Sequence, residues 1–104
     1  MSGRLAAVYV NTPNTITNIY TTPATKTSVV TLSVCNMDTQ SIQFSVMFRA
    51  SDTATVGQGE FIEYNFELAP GNTYERSGLV IFNPQTIAIQ STGLASAVIW
   101  GYEE

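Results

Sequence analysis

The side chains able to do chemistry in this chain are few. There is one thiol, Cys35, eight carboxylates, five tyrosines and one tryptophan, and there is no histidine. Without histidine the commonest general base and neutral-pH metal ligand is missing, so a Ser-His-Asp or Cys-His arrangement cannot form within one chain. Cys35 ends a hydrophobic run, with no basic cluster or helix start nearby to lower its pKa, and is expected to be a small buried hydrophobe. Glu60, Glu63, Glu67 and Glu75 invite comparison with a glycosidase pair, but such a pair must flank a cleft at a fixed separation. Glu63 and Glu67 stand four apart on an extended run, where a solvated face that discourages edge pairing is expected. Glu75 and Arg76 read as a surface ion pair worth under about 1 kcal/mol. Asp38 and Asp52 are lone acids, and calcium wants about six to eight oxygens. Gly57-Gln58-Gly59 lacks the following helix of a phosphate loop. The expectation is a chain with no catalytic residue, no metal and no cofactor. Trp100, Tyr64, Tyr74 and Tyr102 are of the type that stacks on sugars. Most fall on the inward parity of their runs, so core packing is the expected role, with glycan binding as the alternative.

The elements that must position these residues are extended. Val29 to Phe48 carries Val30, Leu32 and Val34, then Ile42, Phe44, Val46 and Phe48, at alternate positions on either side of Asn36-Met37-Asp38-Thr39-Gln40. Period-two alternation marks half-buried strands and the break is rich in turn formers, which predicts a β-hairpin flooring the core. Leu5 to Asn11 and Thr15 to Thr22 are further strands, ended by turns at Pro13 and Pro23. Ala50 to Gly59 is a long polar loop. In Glu60 to Leu68, Ile62, Tyr64, Phe66 and Leu68 share one face. Ala69-Pro70-Gly71-Asn72 puts Pro and Gly at the centre of a type II turn. Thr73 to Phe82, Thr86 to Ser91 and Ala95 to Tyr102 complete the set, the last with Val98, Trp100 and Tyr102 opposed to Ala97, Ile99 and Gly101. No 3.6-residue periodicity persists, and about eight short strands separated by turn signals predict an all-β, single antiparallel β-sandwich, jelly-roll-like, or a small barrel.

The totals limit function further. At 104 residues the chain suits one domain spanning 1–104. Charged residues are only 12% against 44% hydrophobic, about half the usual charged share of roughly 25%. A surface this poor in charge is weakly defended against association and favours a homo-oligomer or larger assembly. The net charge is −4, and Arg4, Lys26, Arg49 and Arg76 are scattered, so a nucleic-acid partner is not expected. No apolar run reaches a membrane span, and the first residues lack a long apolar signal region, which predicts cytoplasmic synthesis.

Two passages carry a resemblance. The first is Asn18-Ile19-Tyr20-Thr21-Thr22-Pro23-Ala24 with the later Val34-Cys35-Asn36. The second comprises Phe61-Ile62-Glu63-Tyr64, Tyr74-Glu75-Arg76-Ser77-Gly78-Leu79-Val80 and Ser96-Ala97-Val98-Ile99-Trp100-Gly101-Tyr102-Glu103-Glu104. Together they resemble small single-domain β proteins of tailed-phage virions, particularly marine phages infecting cyanobacteria, over nearly the whole chain. The resemblance implies a multi-copy structural part of the virion, assembled in the host cytoplasm, with no active site to transfer. Its partners would be the major capsid protein for a decoration or cement protein. They would be tail or neck proteins for a tail, neck or fibre component, whose module would bind host-surface glycans.

Three segments are the candidate contacts. Met1, Ser2, Gly3 and Arg4, up to Leu5, read as an arm laid on a neighbour. Asp52, Thr53, Ala54, Thr55 and Val56 form the middle of the long loop, placed to dock on a partner. Glu103 and Glu104 are placed to meet basic side chains.

Overall fold

The structure is a computed structural model describing residues 2–104. Eight strands follow in order: β1 (Ser2–Val10), β2 (Thr17–Thr21), β3 (Thr27–Asn36), β4 (Ile42–Arg49), β5 (Phe61–Leu68), β6 (Thr73–Phe82), β7 (Thr86–Ser91) and β8 (Ala95–Glu103). A single 3-10 turn at Gln58–Glu60 precedes β5. The strands form two four-stranded antiparallel sheets, ordered β1-β8-β3-β6 and β2-β7-β4-β5. This is the double Greek-key order of a jelly roll, a sandwich and not a closed barrel. Among the seven connections only β4 to β5 stays within one sheet; every other crosses between the layers.

That topology corrects the expected hairpin. β3 pairs with β6 and β8, and β4 pairs with β5 and β7, so the two runs of the Val29 to Phe48 stretch lie in opposite sheets. Their apolar faces still meet, because each sheet turns one side to the shared core. Val30, Leu32, Val34 and Ile99 come from one layer and Ile42, Phe44, Val46, Ile87 and Ile89 from the other, all essentially inaccessible to solvent. Local alternation dictates the buried side of a strand but not the sheet it joins. The Asn36 to Gln40 turn changes layer instead of reversing within one. Buried Asn36 fixes it: Nδ2 donates to the carbonyls of Gln40 (2.9 Å) and Leu68 (2.8 Å), and Oδ1 accepts from the Asp38 amide at 2.7 Å. Asp38 in turn accepts from the Leu94 amide at 3.2 Å and the Thr39 amide at 2.7 Å, which holds its carboxyl below the ordinary carboxylate range. The type II turn forms as expected, with Gly71 at φ 77° and Asn72 N–H donating to the Ala69 carbonyl at 3.1 Å.

Parity fails in two strands. β5 is bulged twice against β4: the register passes from Phe44↔Phe66 to Val46↔Glu63 to Met47↔Phe61. Phe66 and Leu68 keep the inward side, but Tyr64 is thrown outward to 68% exposure, and Glu63 takes the side of Val46. In β8 the inward residues are Ala95, Ala97 and Ile99, while Trp100 and Tyr102 face solvent. The expectation that the aromatic residues pack inward therefore holds for Tyr74 alone of the four. Cys35 is half-buried on the outer side of its sheet, beside Ser96 and Thr73, and not in the core.

Aromatic and polar contacts staple the two long sides of the sandwich. On one side, Tyr74 of β6 packs with Phe44 and Phe66 at centroid distances of 5.1 Å each, and its hydroxyl donates to Glu63 Oε1 at 2.7 Å. Arg76 pairs with this Glu63 at 3.6 Å, not with neighbouring Glu75. Burial, aided by the Glu63 carboxylate, raises the Tyr74 phenol. On the other side, the hydroxyl of Tyr20 in β2 lies 2.7 Å from Ser28 Oγ and donates to the Glu103 carboxylate, joining β2 to β3 and β8.

Candidate functional site

The outer faces of the two sheets are built differently. On the β1-β8-β3-β6 sheet, register places Tyr102, Val29 and Val80 side by side across three strands. Trp100 lies two residues from Tyr102, and Phe82 two residues from Val80. Half-buried Val98 extends the band diagonally towards Tyr9 on β1. Tyr9, Val29, Val80, Phe82 and Tyr102 are each about half exposed, and Trp100 is 36% exposed. The four aromatic residues, at about 150–250 Å² each, alone present on the order of 400 Å² of ring surface. Patches of this size on monomers are commonly functional. Charge is confined to the margins, with Arg4 on the β1 edge opposite Trp100 and Glu75 on the β6 edge opposite Ser33.

The outer face of the β2-β7-β4-β5 sheet is mostly polar where it is open, the Tyr64 ring excepted, and its central apolar residues are covered. Met47 and Ala88 are register partners on this side and are fully buried. Since both lie on the outer side of their sheet yet are inaccessible, the 50–60 loop, tied back to this face by Arg49 and ending in a 3-10 turn against β4, is the segment placed to cover them. Arg49 anchors the loop by donating from Nε (3.1 Å) and Nη2 (2.6 Å) to the Ala54 carbonyl, and from Nη1 to Asn18 Oδ1 at 2.7 Å. Asn18 Nδ2 donates to the Asp52 carbonyl at 2.9 Å. Asp52, Thr53 and Thr55 still expose their side chains, whereas Ala54 and Val56 are half-buried, so this loop is a clasp on its own sheet before it is a free docking arm.

Beyond the clasp, the same face holds a hollow of about 250 Å³. Its lining includes the carboxamides of Asn14, Gln43, Asn65 and Gln90 and the rings of Phe61 and Tyr64, and it contains no Asp, Glu, Lys or Arg. The two rings meet edge to face with centroids 5.1 Å apart. A second depression, about 290 Å³, lies against the same two rings and Gln58. Asn14 (φ 58°) and Asn65 (φ 50°) both hold the left-handed backbone conformation, sparsely populated by non-glycine residues. Sequence reasoning missed these amides because they come from four separate segments. The signal that exists is weak: Asn65 falls on the outward parity of its run, next to Tyr64, which the bulge throws outward as well.

The other expected contacts are used internally in part. Residues 2–5 are the first half of β1, with Gly3 paired to Gly101 and Arg4 to Trp100, so they are a sheet edge and not a detached arm. Met1 lies outside the described residues. Glu103 receives the Tyr20 hydroxyl, and Glu104 exchanges two backbone hydrogen bonds with Thr27, at 2.9 and 3.0 Å. Glu63 is half-buried in its staple, while Glu67 and Glu75 are exposed on β5 and β6, so no cleft gathers them. Among the described residues no group of three His, Cys, Asp or Glu side chains is placed to hold a metal ion, and no helix is long and apolar enough to cross a membrane. No known family model matches the chain, and no curated protein shows significant similarity to it.

Proposed function

We propose that the protein is a non-catalytic structural subunit of a tailed-phage virion, present in many copies as a head decoration protein. Its mutual contact is the outer face of the β1-β8-β3-β6 sheet, packed against a second copy of the chain. The observation that carries this reading is the diagonal band of Tyr9, Trp100, Tyr102, Val29, Val80 and Phe82. Low overall charge supports it, as does the resemblance of the strand and turn sequences to virion proteins. The jelly roll adds only analogy, since capsid and lectin domains share it with unrelated functions.

A second copy is the favoured occupant for two reasons. Four strands about 4.8 Å apart and about 30 Å long give a flat footprint on the order of 600 Å². The accessible area exceeds the flat footprint, which approaches the roughly 800 Å² per partner of a stable interface. The charges are also complementary. β1 and β6 are the two edges of this sheet, so a two-fold axis along the strands lays β1 of one copy across β6 of the other. Arg4 then approaches the edge carrying Glu75 of the second copy, leaving the apolar band for the centre.

Quantitative mass spectrometry of purified particles tests the assignment. A head decoration protein is expected at hundreds of copies per particle. A few dozen copies would move the protein to the tail or neck, and absence from the particle would overturn the virion reading.

A further inference from the structure

We propose that the hollow on the β2-β7-β4-β5 sheet binds a neutral carbohydrate, with one sugar ring beside Tyr64 and its hydroxyls held by Gln43, Asn65 and Gln90. This goes beyond the assembly reading and does not rest on it, because the hollow lies on the opposite face of the sandwich.

The chemistry of the lining selects the ligand class. Carboxamides offer both donors and acceptors, which suits vicinal hydroxyl groups that themselves do both. Much of this capacity is unspent. The Gln43 carboxamide has no partner among the described residues, since only its backbone engages Thr92. Gln90 uses Nε2 on the Asn14 carbonyl at 3.2 Å and keeps Oε1 available. Asn65 accepts at Oδ1 from Ser45 at 3.4 Å and keeps Nδ2 available. With no cation or carboxylate in the lining, an ionic ligand would lose hydration without an opposite charge in return. Phosphates, nucleotides and acidic sugars are therefore disfavoured.

The aromatic pair supplies the apolar contact. Tyr64, thrown outward by the β5 bulge and braced edge to face by Phe61, presents a ring that adds little to the core. A sugar's C–H face is the complement of such a ring, as its hydroxyl edge is of the amides. The hollow, at about 250 Å³, falls below the range of about 300–1,000 Å³ for drug-sized ligands and suits a single ring. The second depression, against the same two aromatic rings, supplies a place for an adjoining unit. A neutral disaccharide is thus expected to bind more tightly than its monosaccharide. Two left-handed asparagines in one lining add a positional argument, since strained backbone concentrates at ligand sites.

The test uses the intact chain on a glycan array and in amide NMR titrations with maltose, cellobiose, lactose and N-acetylneuraminic acid. Expected are retention of at least one neutral glycan class and shifts of the Gln43, Tyr64, Asn65 and Gln90 amides with the neutral sugars only. Tyr64→Ala should weaken binding at least 10-fold, and Gln90→Ala about 3- to 10-fold, with the amide spectrum otherwise that of the folded parent. An array with no neutral glycan retained, preference for the acidic sugar, or undiminished binding by Tyr64→Ala would overturn the proposal. None of these results touches the assembly reading, which is measured on the other sheet.

Discussion

The two sheets share one core and diverge on their outer faces. One exposes a band of aromatic and branched residues that no loop covers among the described residues. The other buries its apolar outer residues, Met47 and Ala88, under the clasp formed by the 50–60 loop and leaves open a hollow of amides. The difference shows that the fold can cover an outer face when required. A chain that spends eleven residues and the Arg49 fork to cover two side chains has the means to shield apolar surface. It leaves six large apolar residues exposed on the opposite sheet. Stability of the lone subunit does not explain that asymmetry; the proposed association through the uncovered face would.

The largest expected effect destroys the platform that carries the apolar band. Gly101 sits at φ 152° between Gly3 and Val30, and a Cβ there would overlap the Val29 carbonyl oxygen and come within 2.8 Å of Val30 Cα. The obstacle is backbone, so no rotamer change relieves it. Gly101→Ala is expected to cost about 3 kcal/mol or more, read as a lower denaturant midpoint, whereas an ordinary exposed strand substitution changes stability within about 0.5 kcal/mol.

A smaller change makes the two faces alike. Arg49→Met removes the donors that hold the Ala54 carbonyl and Asn18, releasing the clasp and uncovering Met47. The expected cost is about 1.5–3 kcal/mol, the range for charge-assisted hydrogen bonds. Faster cleavage within residues 50–57 in limited proteolysis should accompany it, and an unchanged cleavage rate would deny the clasp its role.

The smallest effect concerns the staple that keeps the faces back to back. Burial, with help from the Glu103 carboxylate, pushes the Tyr20 phenol up from 10.0 to about 12. The folded state thus holds the proton where the unfolded chain has begun to lose it. The resulting stability is complete below pH 10 and declines as pH rises towards about 12. Tyr20→Phe should cost about 1–2 kcal/mol at neutral pH and flatten that alkaline decline in pH-dependent unfolding.

Much of the fold was legible because alternation is a local property. Val30, Leu32, Val34, Ile42, Phe44 and Val46 all lie on the sides their spacing indicated. The pairing partners were not legible, since nothing within Asn36 to Gln40 distinguishes a turn within a sheet from one between sheets. Parity misled where bulges intervene or where both faces of a strand are apolar. In β8, small Ala95 and Ala97 fill the tightly packed interior and Trp100 goes outside, an inversion of what size alone suggests. The hollow escaped sequence reading because Gln43, Asn65 and Gln90 are brought together only by the β7-β4-β5 register, and Asn14 only by its backbone hydrogen bonds to Ser91 and Gln90.

Sedimentation velocity on the parent chain, Val80→Glu and Tyr64→Ala tests the division of roles most directly. The account predicts a dimer for the parent and for Tyr64→Ala, and a folded monomer for Val80→Glu, whose carboxylate would be forced into the centre of the apolar contact. A parent that stays monomeric into the high micromolar range, or a Val80→Glu variant that still dimerises, would contradict it.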